Sequence, residues 1–450
     1  MRMCRILLLL FVLPVVGITA QDVKESPRSF SLRQAQEYAL KHSRDTRAAR
    51  IDVDRARRKV WETTAIGLPQ VDASISYQHY PAIPTTLLPA EIFDADAPPG
   101  TFAELKFGTA HNARLDVTAS QLLFQGSYLV GLRASRVYLQ LSKDQLERAE
   151  VDIKETVART YFLILLSERS REILKTSLEN LNKTLWETRE LYAAGFAEDT
   201  DVDQLQLSVT DLKNQLESTD VQIRITYNLL KYQMGFDLNE VIVLGDDLDA
   251  ILSSIDAEEL ITLHLELNKH VDYRAVKTRA QAQELTLSQA RSEYLPSVSA
   301  FLTQSYNAQR DAFDFFQRGK WFASTVIGLN IQVPIWSSGQ RGARVQQARL
   351  ELEKARLDVE HVARGLQMGL MQARADFTNA VNKRKSTRDN VALAQRIFDK
   401  TRQKFQNGTA TSLELTQAHN QYLEAESNFT GAVVDLLNAE LALERALNRL

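Results

Sequence analysis

The 450 residues carry 54 Lys+Arg against 57 Asp+Glu, a formal charge of −3, with 44% apolar residues and one cysteine, Cys4. That balance offers no basic surface for nucleic acid, and a single cysteine excludes a disulfide framework. Past the first twenty residues the longest strictly apolar run is about six residues, Tyr161 to Leu166, far below the ~20 of a membrane helix, so if the chain enters a bilayer it does so as strands.

The chain begins with Arg2 and Arg5, an apolar run from Ile6 to Val16, and Ala20 before the polar Gln21. Residues 1–20 therefore read as a secretory signal peptide cut after Ala20, although Ile18 is large for its place in the cleavage box. Cys4 lies in the charged leader, which argues against lipoprotein processing. The mature chain has no cysteine and a formal charge of −5.

The remainder says nearly the same thing twice. Leu40, Asp45, Arg47, Ala48 and Leu68-Pro69 return 227 positions later as Leu267, Asp272, Arg274, Ala275 and Leu295-Pro296. Tyr192-Ala193-Ala194-Gly195 returns 213 positions later as Phe405-Gln406-Asn407-Gly408. A period above 200 residues is too long for a solenoid and marks duplicated halves, 21–235 and 236–450. Each half reads as a helix, two strands, a very long helix, a turn and a helix.

The strands are expected at about 70–79 and 111–122, then 297–306 and 323–334. In Val71 to Gln78 apolar and polar residues alternate without fault, as they do from Asn112 to Ser120. Val298, Ala300, Leu302 and Tyr306 alternate with Ser299, Thr303 and Ser305, Phe301 being the exception, and Thr325 to Val333 alternate again. Each is about the 9–11 residues that cross a bilayer when tilted. A soluble sheet has the same period. Export, bracketing aromatics (Tyr77, Tyr80, Phe107, Phe124, Tyr306, Trp321, Phe322, Trp336) and small polar faces favour a membrane barrel, with Asp72, Ser74, Arg114, Asp116, Thr118, Asn330 and Gln332 toward a wet lumen. Four strands cannot close a barrel in lipid. Three copies would supply twelve. The proline-rich stretch from His79 to His111 and the residues from Asn307 to Trp321 are the long loops expected outside the cell.

No proline occurs between Gly100 and Leu295 or after Pro334, so both regions are free to be helical over great lengths. From Gly126 to Gly195 the chain would reach roughly 100 Å. After Gly195, Val202, Leu205, Val209, Leu212, Leu216, Thr219, Ile223, Thr226 and Leu230 step by three and four. After Gly408 the same track holds Leu415, Ala418, Tyr422, Ala425, Phe429, Ala432, Leu436, Ala439 and Leu443. Leu174, Leu178, Leu181, Leu185 and Tyr192 give the partner seam, with Gly195 and Gly408 as left-handed caps where antiparallel coiled-coil helices reverse.

No catalytic, cofactor-binding or metal residue is expected. The histidines His42, His79, His111, His264, His270, His361 and His419 have no i,i+4 pair, and no phosphate loop, dinucleotide fingerprint or nucleophile elbow is present.

The duplicated Leu-Pro before a strand, the strand exits Leu123-Phe124-Gln125-Gly126 and Pro334-Ile335-Trp336-Ser337-Ser338-Gly339, and the two reversals together resemble the TolC-like outer membrane efflux proteins, from Ser31 to the end. The resemblance implies a mainly helical protein with membrane strands: a homotrimer whose twelve-strand barrel in outer-membrane lipid continues as a twelve-helix periplasmic tube. It implies the channel of a tripartite efflux pump exporting small molecules in a Gram-negative cell, with a periplasmic adaptor protein and an inner-membrane transporter of RND or ABC type as partners. Carried over, the adaptor-facing tips are Ala194, Gly195, Phe196, Asp199 and Thr200 with Asn407, Gly408, Thr409, Thr411 and Ser412. The acidic entrance residues are Asp201 and Glu414. Gln204 and Gln417 stand where a further acid can occur, and a helix-capping role for either acid stays open. The alternatives are the outer-membrane conduit of a type I protein secretion system and a soluble periplasmic coiled-coil adaptor or scaffold.

Overall fold

A computed structural model describes residues 28–316 and 319–450, so the signal-peptide reading at 1–20 lies outside the described residues. In chain order the elements are β1 (Arg28–Phe30), α1 (Leu32–His42), α2 (Arg44–Ala65), β2 (Gln70–His79), β3 (Thr85–Pro89), β4 (Phe102–Lys106), β5 (His111–Gln125), α3 (Gly126–Ala193) and α4 (Asp199–Met234). They continue with β6 (Ile242–Leu244), α5 (Leu248–Ser254), α6 (Ala257–Thr262), α7 (Val271–Ser292), β7 (Ser297–Arg310), β8 (Phe322–Gln332), α8 (Gln340–Gln406) and α9 (Ser412–Ala446). Helices at matching places have matching lengths: 22 residues in both α2 and α7, 68 and 67 in α3 and α8, 36 and 35 in α4 and α9. At ~1.5 Å per residue α3 and α8 each extend about 100 Å.

β2, β5, β7 and β8 form one antiparallel sheet in that order, so the middle pair, β5 with β7, joins the two halves of the chain. Three strands differ from the expected bounds. β5 continues to Gln125 through an irregularity between Leu122 and Phe124, β7 continues to Arg310, and β8 ends at Gln332 because Pro334 has no N–H for a ladder. The long loop after β2 is not unstructured, since β3 and β4 pair within it as a hairpin.

The register keeps the two faces of the sheet apart. Asp72 lies opposite Thr118 and Ser74 opposite Asp116, and across the next ladder Thr118 meets Thr303 and Asp116 meets Ser305. Phe301, the exception in the alternation, falls on this polar face opposite Gly328. A Cβ at Gly328 would stand 2.7 Å from the Phe301 ring, so the glycine is what gives the ring its place.

The helices bury the expected seams: Leu205, Val209, Leu212, Ile223 and Leu230 in α4, Leu415, Ala418, Leu436, Ala439 and Leu443 in α9, and Leu174, Leu181 and Leu185 in α3. Tyr192 departs from its seam. It is 50% exposed, in the last turn of α3. Where α1, α3 and α4 meet the parallel pair β1–β6, Tyr161 is fully buried, its Oη 2.9 Å from Phe30 O and 3.0 Å from Asp246 Oδ2.

The ends of α4 and α9 show how two halves of unlike sequence keep one geometry. Gly235 closes α4 at φ 70°, and a Cβ there would lie 2.4 Å from His42 O. At the position 213 later Asn448 adopts φ 59°, and its side chain accepts from the Val271 N–H at 3.1 Å. Asparagine tolerates the left-handed region and supplies a hydrogen bond where glycine supplies only space.

Candidate functional site

Both helix reversals close in the same way. Gly195 (φ 78°) donates to Tyr192 O at 3.0 Å while Phe196 N–H reaches back to Leu191 O at 2.8 Å. Gly408 (φ 71°) donates to Phe405 O at 2.9 Å while Thr409 N–H reaches Lys404 O at 2.8 Å. This pair of bonds is the Schellman arrangement, which needs a left-handed residue at the turn. A Cβ on either glycine would touch nothing within 4 Å, so the requirement is one of backbone conformation alone.

Beneath the turns, Leu181, Leu185, Leu205, Val209 and Leu415 form one buried cluster with Leu178, Val202, Phe398 and Phe405 packed against it. The ends of α3, α4, α8 and α9 are thus one body, and the two reversals stand side by side. Their chemistry differs. Phe196 is 82% exposed, whereas the residue 213 later is Thr409, its hydroxyl bonded to Lys404 O at 3.1 Å.

The acids proposed for the entrance stand at helix N-termini. Glu414 Oε2 accepts from the Thr411 N–H at 2.8 Å and Thr411 Oγ1 accepts from the Glu414 N–H at 3.2 Å, a reciprocal capping box. Asp201 Oδ2 accepts from the Glu198 N–H at 3.3 Å. Asp199 Oδ1 accepts from Thr200 N–H at 2.8 Å. Ala194 and Asn407 are the C-cap residues of α3 and α8. Gln204, which sequence reasoning treated as a missing acid, accepts from Ser412 Oγ at 2.8 Å and joins the two tips. The only signal for that bond was a polar residue beside a seam.

At the far end, Arg114 and Asp116 form an ion pair of 2.7 Å, and Asp116 also accepts from Ser305 Oγ. Thr118 and Thr303 share a 3.0 Å hydrogen bond. Asn330 pairs with Ser299 and Gln332 with Ser297, so all seven residues assigned to a lumen lie on one face of the sheet. The other face exposes Val71, Ile75, Ile327, Leu329 and Ile331, with Ile75 and Ile327 each 80% exposed.

Among the described residues no group of three or more His, Cys, Asp or Glu is placed to hold a metal ion, and no helix is long and apolar enough to cross a membrane. One cavity of about 360 Å³ opens between α3 and the α8–α9 pair, with the buried ring of His419 on its wall. Burial pushes that imidazole down to about 4. Sequence reasoning gave His419 no role, since a lone histidine beside an apolar seam carries no pattern.

The chain matches the outer membrane efflux protein family over residues 36–235 and 262–449, one segment for each half. It belongs to that family. Among curated proteins it is 20% identical over 336 residues to outer membrane protein TolC of Vibrio cholerae, covering 74% of this chain and 76% of that protein. It is 22% identical over 294 residues to the proteases secretion protein PrtF of Dickeya chrysanthemi, covering 65% of this chain and 63% of that protein. Among solved structures, the outer membrane protein VceC from Vibrio cholerae superposes with a TM-score of 0.69 at 18% identity, over 92% of this chain and 95% of that one. Long antiparallel helices and a four-stranded sheet are therefore the fold of an outer membrane efflux protein, a family of channels and not of enzymes.

Proposed function

We propose that this chain is the outer-membrane channel of a tripartite efflux pump, a homotrimer that conducts small molecules from the periplasm to the exterior. The observation that carries the reading is the open sheet: four antiparallel strands with one polar face, one exposed apolar face, and unpaired edges on β2 and β8. Such edges are not tolerated in hydrocarbon, whereas β2 and β8 are antiparallel to one another and pair directly when three copies close twelve strands into a barrel. The apolar face then meets outer-membrane lipid and the face with Asp72, Ser74, Arg114, Asp116, Thr118, Asn330 and Gln332 lines the lumen.

The helices continue the tube into the periplasm, and the tips around Gly195 and Gly408 take a periplasmic adaptor that bridges to an inner-membrane transporter of RND or ABC type. The exposed Phe196 supports an apolar anchor there. A conduit for exported protein uses the same geometry, and the likeness to PrtF favours keeping that second reading.

Deletion of the gene separates the two. Greater sensitivity to dyes and detergents with normal protein secretion supports the pump, and loss of a secreted protein with unchanged sensitivity supports the secretion conduit. A detergent-solubilised particle with the mass of one chain and full strand content overturns both.

A further inference from the structure

Two histidines that the whole proline-rich stretch separates in sequence are brought into contact by the sheet. His79 ends β2, His111 begins β5, and the ladder sets them directly opposite one another. Their rings stack with centroids 4.5 Å apart and planes 18° from parallel. Alternation puts the pair on the face of Tyr77, Ile75 and Leu115, away from the polar face assigned to the lumen. The loop from Tyr80 to Ala110 leaves the sheet after one histidine and returns before the other, so the pair stands at its neck. Spacing along the chain gave no sign of this, because a cross-strand partner is set by register.

Each ring is held through Nδ1. His79 Nδ1 lies 3.1 Å from Ala110 O, the same carbonyl that accepts from the Tyr80 N–H at 2.8 Å. A carbonyl only accepts, so the His79 proton sits on Nδ1 and the Nε2 lone pair is free. His111 Nδ1 lies 2.7 Å from Tyr77 Oη, an oxygen that accepts from the same tautomer. Neither Nε2 has a hydrogen-bond partner among the described residues. Metal-ligating imidazoles take this arrangement, one ring nitrogen donating to an oxygen and the other offered to the ion, because the first bond fixes the tautomer and raises the basicity of the second nitrogen. Phe313, from the loop after β7, sets its edge against both His111 and Tyr77, with centroids 6.1 and 5.5 Å away. Packing alone does not call for imidazoles here, since phenyl rings stack as well.

We propose that His79 and His111 clamp one divalent transition-metal ion, with water completing its coordination. Metal–nitrogen bonds of ~2.0–2.1 Å let one ion bridge nitrogens up to about 4 Å apart, so the stacked rings close on it by rotating until their Nε2 edges converge. Imidazole suits copper, nickel and zinc, and with only two ligands supplied by the protein the intrinsic order of affinities puts copper(II) first. The ion staples the two ends of the loop that carries the β3–β4 hairpin. Any opening that parts His79 from His111 then breaks a metal bond as well.

The test uses the untagged protein in detergent with copper(II) or nickel(II) chloride at pH 7.5. Calorimetry should give one copper per chain, with nickel weaker. His79→Gln and His111→Gln should each weaken copper binding by about tenfold or more, whereas His361→Gln, at an exposed histidine of α8, should leave it unchanged. Circular dichroism and light scattering identify variants that fold as the parent does. Unchanged affinity in either folded variant overturns the clamp, since an ion held by one imidazole is a surface adduct. A second measurement needs no variant. Lys106 is the only trypsin site between Tyr80 and Ala110, and saturating copper should slow cleavage there severalfold, with EDTA restoring the rate. Cleavage at one rate with and without copper removes the staple.

Discussion

Ser412 Oγ donates to Gln204 Oε1 at 2.8 Å, tying the first turn of α9 to α4 across 208 positions of sequence. Ser412 is buried, so its hydroxyl has no water to turn to when the acceptor is removed. Gln204→Ala should therefore lower stability by about 1–3 kcal/mol, the cost of an unpaired buried polar group. Gln204→Glu keeps an acceptor and should lose less. Hydrogen exchange at the amides of the first turns of α9 reads the difference, and equal protection in the two variants would remove the bond from the account of the tips.

The turn glycines make a sharper prediction, because open space surrounds them. Gly195→Val and Gly408→Val clash with nothing, yet each forces a β-branched residue to φ near 70–80°. The left-handed conformation costs a substituted residue roughly 1–2 kcal/mol. The tips should distort and export should fall, with assembly of the distant barrel near normal. Gly408→Asn should retain export, since asparagine already holds φ 59° at position 448 in this fold. Full export from the double valine variant would place adaptor contact elsewhere.

Period and punctuation carried most of this fold. The 3.5-residue seam in α4 and α9, the alternation in β2 and β5 and the glycine turns are local patterns, each fixed by the geometry of one element. What stayed hidden depends on pairs. Phe301 breaks the alternation only until its partner is known to be Gly328, and Gln204 resembles a diluted acid until Ser412 is found beside it. Strand ends escaped for the same reason: β7 runs to Arg310 because β5 is there to pair with it as far as His111. The proline-rich loop concealed a hairpin, since prolines at its ends look the same whether or not the ladder between them forms.

The faces of the sheet predict opposite responses to one substitution. Leu115 and Ile327 stand on the apolar face, so arginine there should cost about 2–4 kcal/mol near the bilayer midplane and reduce insertion. Thr118 and Asn330 stand on the polar face, where arginine should be tolerated and change single-channel conductance. Gly328→Val is a third case. It lies on the tolerant face but collides with Phe301, so it should impair folding without adding charge. Similar responses from Leu115→Arg and Thr118→Arg would reverse or abolish the lumen assignment.

Asp201 and Glu414, in the first turns of α4 and α9, accept hydrogen bonds from the N–H groups of the N-cap residues Glu198 and Thr411. Neutralising both, with Asp201→Asn and Glu414→Gln, should lower the melting temperature, since caps of this kind contribute roughly 0.5–2 kcal/mol each. Three copies would also ring the entrance with six carboxylates, a field that favours cations. Planar-bilayer recordings then separate capping from gating: reduced cation selectivity at unchanged trimer yield supports a gate, and unchanged selectivity with lowered melting supports capping alone.

Two groups, His419 buried and Glu440 partly buried, should pull stability in opposite directions as pH changes. Burial among α3, α8 and α9 pushes His419 from 6.5 down to about 4, with Arg169 and Glu172, Asp399 and Arg402, and Tyr422 and Glu426 lining the same cavity. Between those two values the folded chain holds fewer protons than the unfolded one, so stability falls as pH drops from 6.5 toward 4. Glu440, partly buried and beside the charge of Glu444, is pushed from 4.5 up to about 7 by loss of solvation first and by that charge second. There the folded chain holds more protons, and stability rises as pH drops from 7 toward 4.5. Each contribution is on the order of 3 kcal/mol at full extent, so over the shared window they largely cancel. Removing one should reveal the other. Glu440→Gln should make the protein lose stability steeply on acidification, and His419→Gln should make it gain stability over the same range. Denaturant melts at pH 7.5, 6 and 4.5 measure both slopes, and a variant pair that changes in the same direction would show that another group governs the acid response.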